Sequence, residues 1–133
     1  VTAVEEAIHD RIVNTAPSGS KLGTRVYPMT LPQTPELPAA TYQIVSVVPV
    51  HSHQGPSDLD ATRIQIDTWA DGYAAAREAA VAVRTVLDGI RGMVSGLWVG
   101  GVLYAGQSTH YEDEVDMWRV RADYRIWHAT EVQ

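Results

Sequence analysis

Two histidines one residue apart, His51 and His53, share a polar stretch of the chain with Asp58 and Asp60. Two imidazoles and two carboxylates can hold a divalent cation. The segment SHQGPSD is nevertheless dense in turn formers and reads as a solvated loop. A second acidic group, Glu112, Asp113, Glu114 and Asp116, could bind a cation or repel nucleic acid, and its composition fits a solvated hairpin tip. Arg119, Arg121 and Arg125 fall on one side of a single alternating segment, with Asp123 among them and Trp127 next in the series. Three cations beside an indole could form a platform for phosphate or RNA. The ladder contains its own carboxylate, however, and Arg63, Gln65 and Asp67 offer matching charges on another segment. Cross-strand pairing or a subunit interface is therefore the stronger reading. No Ser–His–Asp order, phosphate-cradling glycine loop or HExxH occurs, and Gly19-Ser20-Lys21 lacks the spacing of a P-loop. Neither catalytic residues nor a bound metal or cofactor are expected.

The chain that must position these groups has 133 residues, room for one domain with one core. With no cysteine it has no disulfide, thiolate metal site or Cys nucleophile. A net charge of −6 opposes general nucleic-acid binding, which rests on clustered Lys and Arg. Nine of the ten basic residues are Arg, the better partner for carboxylates across an interface, although coding bias explains the ratio equally well. No secretory leader or membrane span is apparent, so a soluble protein made in the cytoplasm is expected.

Apolar spacing predicts two helices. Val4, Ile8 and Ile12 form a stripe over residues 3–14, with Thr2 as N-cap and Pro17, Ser18 and Gly19 as the stop. Ala76, Ala80, Val83, Leu87 and Ile90 form another over residues 73–90, with Asp71 as N-cap and Gly89 or Gly92 at the end. Arg84 and Asp88 stand one turn apart there. Residues 40–50, 61–70, 97–105 and 115–128 read as four strands, the third interrupted by a bulge at Gly100 and Gly101. A short extended piece at 25–27 leads into an arm punctuated by Pro28, Pro32, Pro35 and Pro38. The order predicts an α+β fold: a mostly antiparallel four-stranded sheet with both helices packed on one face, a two-layer sandwich. Trp69 and Trp127 fall on the polar side of that sheet, so the side is expected to be covered in the functional state.

The segments VEEAIHDRI, RVYP, LPQTPELPAATYQIV, RIQIDTWA, YAAAREAAVAVRTVLDGI and WRVRADYRIW, in this order, resemble the tail-terminator, or tail-completion, proteins of long-tailed bacteriophages. The likeness spans nearly all of residues 1–133 as a single domain; residues 92–96 and 107–114 match no pattern of the family. It implies a non-enzymatic homo-hexameric ring that caps the tail tube, ends tube polymerisation and joins the tail to the head or neck. DNA would pass through the ring without sequence-specific binding. The partners implied are further copies of the chain, the tail tube protein and a neck or head-completion protein, at the tail-neck junction of the virion after assembly in the host cytoplasm. On that reading Arg63, Asp67, Trp69, Arg119, Arg121, Arg125 and Trp127 form the subunit interface, and Asp58, Asp60, Glu112, Asp113 and Glu114 face the channel or the tube. An acidic surplus suits a conduit to which DNA must not adhere. The alternatives are a head-closure or connector protein of the neck, a dimeric α+β regulator that binds a small ligand, and a DNA-binding protein, the last opposed by the charge.

Overall fold

A computed structural model of the chain describes residues 3–15, 18–52 and 55–129, without the side chains of residues 18, 20, 51, 52 and 55–58. Two long hairpins dominate it. Strand β2 (Ala39–Ser52) pairs antiparallel with β3 (Gly55–Ala70), and β5 (Leu97–Glu112) with β6 (Met117–Ala129). β3 and β6 pair antiparallel at the centre, from Leu59 opposite Ala129 to Ala70 opposite Trp118. Two three-residue strands flank them, β1 (Val26–Pro28) and β4 (Gly92–Val94), giving the order β1-β2-β3-β6-β5-β4.

The expected four-stranded antiparallel sheet is thus six-stranded and mixed, because β1 runs parallel to β2. A parallel neighbour needs a crossover, and the proline arm supplies it. Arg25 holds the arm in place: its Nε donates to the Pro38 carbonyl at 2.9 Å, and its guanidinium lies 3.8 Å from Glu36. The short extended piece expected at 25–27 is β1 and joins the sheet beside the four expected strands, whereas β4, three residues long, carries no readable periodicity.

One face of the sheet is covered. Helix α1 (Val4–Asn14) buries Val4, Ala7, Ile8 and Ile12, and α3 (Tyr73–Leu87) buries Ala76, Ala79, Ala80, Ala82, Val83, Val86 and Leu87. The small alanine face lets α3 lie close on the strands. Ile64 and Ile66 of β3 and Val120, Ala122, Tyr124 and Ile126 of β6 meet the helices and are all buried. Each of the larger aliphatic side chains contributes about 1.5–3 kcal/mol by leaving water. The Tyr124 ring packs edge-on to Tyr104, with centroids 5.5 Å apart, and burial pushes its phenol well above the ordinary range.

Several boundaries differ from expectation. The stop after α1 instead begins a short helix, α2 (Ser18–Leu22). Gly19 makes this turn possible, since a Cβ there would stand 2.5 Å from the Val13 carbonyl oxygen. Thr2 lies outside the described residues, and Ala3 occupies the N-cap position of α1 without a side-chain bond. Gly72, not Asp71, caps α3, which ends at Leu87; Gly89 then takes a left-handed φ of 75° and terminates the helix as expected. The Arg84–Asp88 pair forms at 3.8 Å. A loop expected over 49–60 is largely strand, and β5 runs on to Glu112. Backbone pairing with β3 and β6 carries these extensions, without the apolar alternation that core burial imposes. The predicted bulge at Gly100 and Gly101 is present as a register shift between Val99 and Gly101.

Candidate subunit interface

The sheet face away from the helices carries the polar ladder of β3 and β6 singled out in the sequence. Across β3 and β6 the register sets Trp69 opposite Arg119, Asp67 opposite Arg121, Gln65 opposite Asp123, Arg63 opposite Arg125 and Ala61 opposite Trp127. Most of the charges find partners in place. Arg121 Nε donates to Asp67 Oδ1 at 3.1 Å, and Asp123 accepts from Arg63 Nη2 and Gln65 Nε2, both at 3.1 Å. Arg119 Nη2 lies 2.7 Å from Glu112 Oε1, and its guanidinium sits 5.4 Å above the Trp69 ring. Trp69 in turn donates from Nε1 to the Thr41 hydroxyl at 3.1 Å. Pairs this exposed are each worth about 0–1 kcal/mol, so they order the face more than they stabilise it.

The ladder divides into two ends. At one end Trp69 shares an apolar groove of about 570 Å³ with the proline arm, lined by Met29, Leu31, Pro32, Pro35 and Met117 among others. Part of the cover expected over this indole is therefore intramolecular. At the other end Arg125 stands opposite a like charge, Arg63, and has no ion-pair partner among the described residues. Here Ser46, Val48, Ala61, Arg63, Arg125 and Trp127 line a second groove of about 330 Å³. Around it Val45, Val48, Trp98 and Leu103 are about half exposed, and Met93, the register partner of Trp98, is exposed to 67%. The Trp98 ring lies over Gly100, where a Cβ would stand 3.0 Å from it. This end of the face is apolar, open and built from five neighbouring strands.

Sequence reasoning found Trp127 and the arginines but missed Val45, Val48, Trp98, Leu103 and Met93. Bulges between Ile44 and Ser46 and between Val99 and Gly101 break the strand parity that would have placed them on this face.

The acidic residues are not brought together. Glu112 serves Arg119, while Asp113 and Glu114 are exposed in the β5–β6 turn, where Asp116 accepts the Tyr111 hydroxyl. Asp60 pairs in register with His128 at the far end of the sheet, and the Asp58 side chain is outside the described set. His53 and the His51 side chain also lie outside it, and no metal-binding cluster occurs among the described residues. No helix among these residues is long and apolar enough to cross a membrane.

A sheet with one face sealed by helices and the other left partly apolar defines a two-layer α+β domain. The chain belongs to the family described as tail completion protein gp17, whose profile matches residues 6–129. Its role is accordingly that of a structural component of a bacteriophage tail. No curated protein matches the chain in sequence. Among solved structures it resembles a chain from the "Virion of native gene transfer agent (GTA) particle", with a TM-score of 0.79 and 22% identity over 96% of this chain and 95% of that one. That likeness is one of fold.

Proposed function

We propose that the chain forms a homo-hexameric ring that caps the tail tube, stops its polymerisation and joins the tail to the head or neck. DNA passes through the central channel, and the ring resides at the tail-neck junction of the virion. The observation that carries this reading is the open apolar end of the sheet face, where Val48, Trp98, Leu103 and Trp127 remain partly exposed beside Arg125, which has no ion-pair partner among the described residues. Contiguous apolar surface rimmed by charge marks a protein contact, with Trp and Arg as its usual anchors. A ring needs such a contact to be heterologous, so that each copy offers one surface and receives another.

Arg63, Arg125 and Trp127 contact the neighbouring subunit directly. Asp67, Trp69, Arg119 and Arg121 hold the rest of the face in shape through the pairs they make. The acidic groups at the two ends of the sheet, Asp58 and Asp60 at one and Glu112, Asp113 and Glu114 at the other, face the channel or the tube. There they keep DNA from adhering, since like charges repel. The family and the virion origin of the structural neighbour support an assembly role of this kind, without catalysis.

The test is to add the chain to purified tail tube protein during polymerisation and measure tube lengths by electron microscopy. Tubes that stop growing, with the chain at one end, are expected. Tubes that lengthen unchanged, or a chain that binds portal complexes and not tubes, would assign it to another part of the neck.

A further inference from the structure

The outermost long strands, β2 and β5, are hardly covered. β1 reaches only Ala40, Thr41 and Tyr42 of β2, and β4 reaches only Leu97, Trp98 and Val99 of β5. From Gln43 to Val48 on one side, and from Gly101 to Thr109 on the other, no neighbouring strand accompanies the outer edge among the described residues. Free edges are ordinarily blunted by charge, because unpaired N–H and C=O groups otherwise recruit another strand. Here the distribution is reversed. Neither β2 nor β5 carries an Asp, Lys or Arg, and the single Glu between them is Glu112 at the last position of β5. The eight remaining strand charges, Asp58, Asp60, Arg63, Asp67, Arg119, Arg121, Asp123 and Arg125, all lie on the inner strands β3 and β6. Val45, Val47 and Val48, β-branched and about half exposed, complete an edge of high strand propensity with no gatekeeper.

We infer that the free edge of β2 at 43–48 pairs antiparallel with the free edge of β5 at 101–109 in the next copy, so that the sheet continues from subunit to subunit. The inference rests on the ring reading and adds an edge contact to the face contact at Arg63, Arg125 and Trp127. Strand sense permits it: β2, β3, β6 and β5 alternate in direction. A head-to-tail neighbour therefore brings β5 against β2 with the alternation unbroken. An even number of long strands per copy lets such a ring close.

A two-fold contact of β2 with β2 would also be antiparallel, but it leaves β5 bare on both copies, whereas the head-to-tail contact uses both edges of each. The two short flanking strands sit at diagonally opposite corners, β1 on the Trp69 row and β4 on the Asp60 row. Neighbours must consequently be displaced along the strands, and a closed tilted sheet requires that stagger. The side chains are complementary as well, since the valines of β2 meet an edge thinned by Gly101, Ala105 and Gly106. Pro49 brings no N–H and bounds the pairable stretch of β2.

The absence of native cysteine makes a clean test possible. A Val45→Cys chain is mixed, in separate trials, with Leu103→Cys, Ala105→Cys and Ser108→Cys chains, assembled on tail tubes and oxidised. A disulfide between Val45→Cys and at least one of the three is expected, with none in the Val45→Cys chain alone. Amides of 43–48 in the unmodified protein should exchange at least about tenfold more slowly after assembly. Links of Val45→Cys to itself would overturn the inference in favour of a two-fold contact. A six-membered ring with no mixed link and unchanged exchange would overturn it and leave the ring standing. No assembly on tubes at all would overturn the ring reading too.

Discussion

Replacing Trp127 by glutamate will abolish assembly while leaving the subunit folded. The indole is half-buried at the open end of the sheet face, between Val48 and Ala61 on one side and Arg125 on the other. It makes no hydrogen bond or ion pair among the described residues that the fold would miss. In the free subunit the change should cost about 1 kcal/mol or less, as surface substitutions do. Against a neighbour, a carboxylate must be desolvated where an aromatic anchor stood, and losing such an anchor costs upwards of about 2 kcal/mol per contact. Every contact around a closed ring bears that loss. Sedimentation velocity should show monomer alone, with a melting temperature within a few degrees of the unaltered protein. Rings that persist in the Trp127→Glu chain would place the contact elsewhere.

His128→Ala should have the opposite character, with severe loss of stability and no specific effect on assembly. His128 is 1% exposed, on the helix-covered side of β6. Its Nδ1 lies 2.7 Å from the Ala129 carbonyl oxygen, which can only accept, so Nδ1 carries the proton. Nε2 is then left to accept from the Thr62 hydroxyl at 2.6 Å, itself fully buried. Alanine removes the ring and strands that hydroxyl. An unsatisfied buried hydroxyl costs about 1–3 kcal/mol, and the cavity adds a penalty of similar size. Together these lower the melting temperature by on the order of 10 °C in a domain of this length. Adding Thr62→Val should recover about 1 kcal/mol, because the stranded donor is then gone. A melting temperature unmoved by His128→Ala would mean that the pair contributes nothing.

Those two residues also show where the sequence was informative. Trp118, Val120, Ala122, Tyr124 and Ile126 alternate strictly with Arg119, Arg121, Asp123 and Arg125, because β6 is central and contacts the core on one side along its whole length. The same constraint made β3 legible, along with the stripes of α1 and α3. Cross-strand pairing of Arg63, Asp67, Arg121 and Asp123 followed from parity alone. Where core contact ends, the signal ends. Residues 107–112 form strand although Gln107, Ser108, Thr109 and His110 show no apolar alternation, since backbone bonds to β6, with the Tyr111–Trp118 and Glu112–Arg119 contacts at the tip, hold them in place of core burial. The bulge near Val45 shifts parity by one residue and turns Val48 outward without a local mark, whereas Gly100 and Gly101 mark the bulge that turns Leu103 outward. The position of the proline arm over Trp69 depends on Arg25 and Pro38, thirteen residues apart, and no local pattern announces it.

The uncharged outer strands are different, because the composition was in plain view. β2 and β5 read as strands from their residues, but which strands lie at the edge is decided by topology. Only with the order β1-β2-β3-β6-β5-β4 in hand does missing charge become a statement about assembly.

Native mass spectrometry of the complex released from capped tail tubes weighs the central claim most directly. At 14.6 kDa per chain, a species of six copies is expected, present with tube protein and lost in the Trp127→Glu variant. A cap that contains one or two copies, or a six-membered species indifferent to that substitution, would contradict the account.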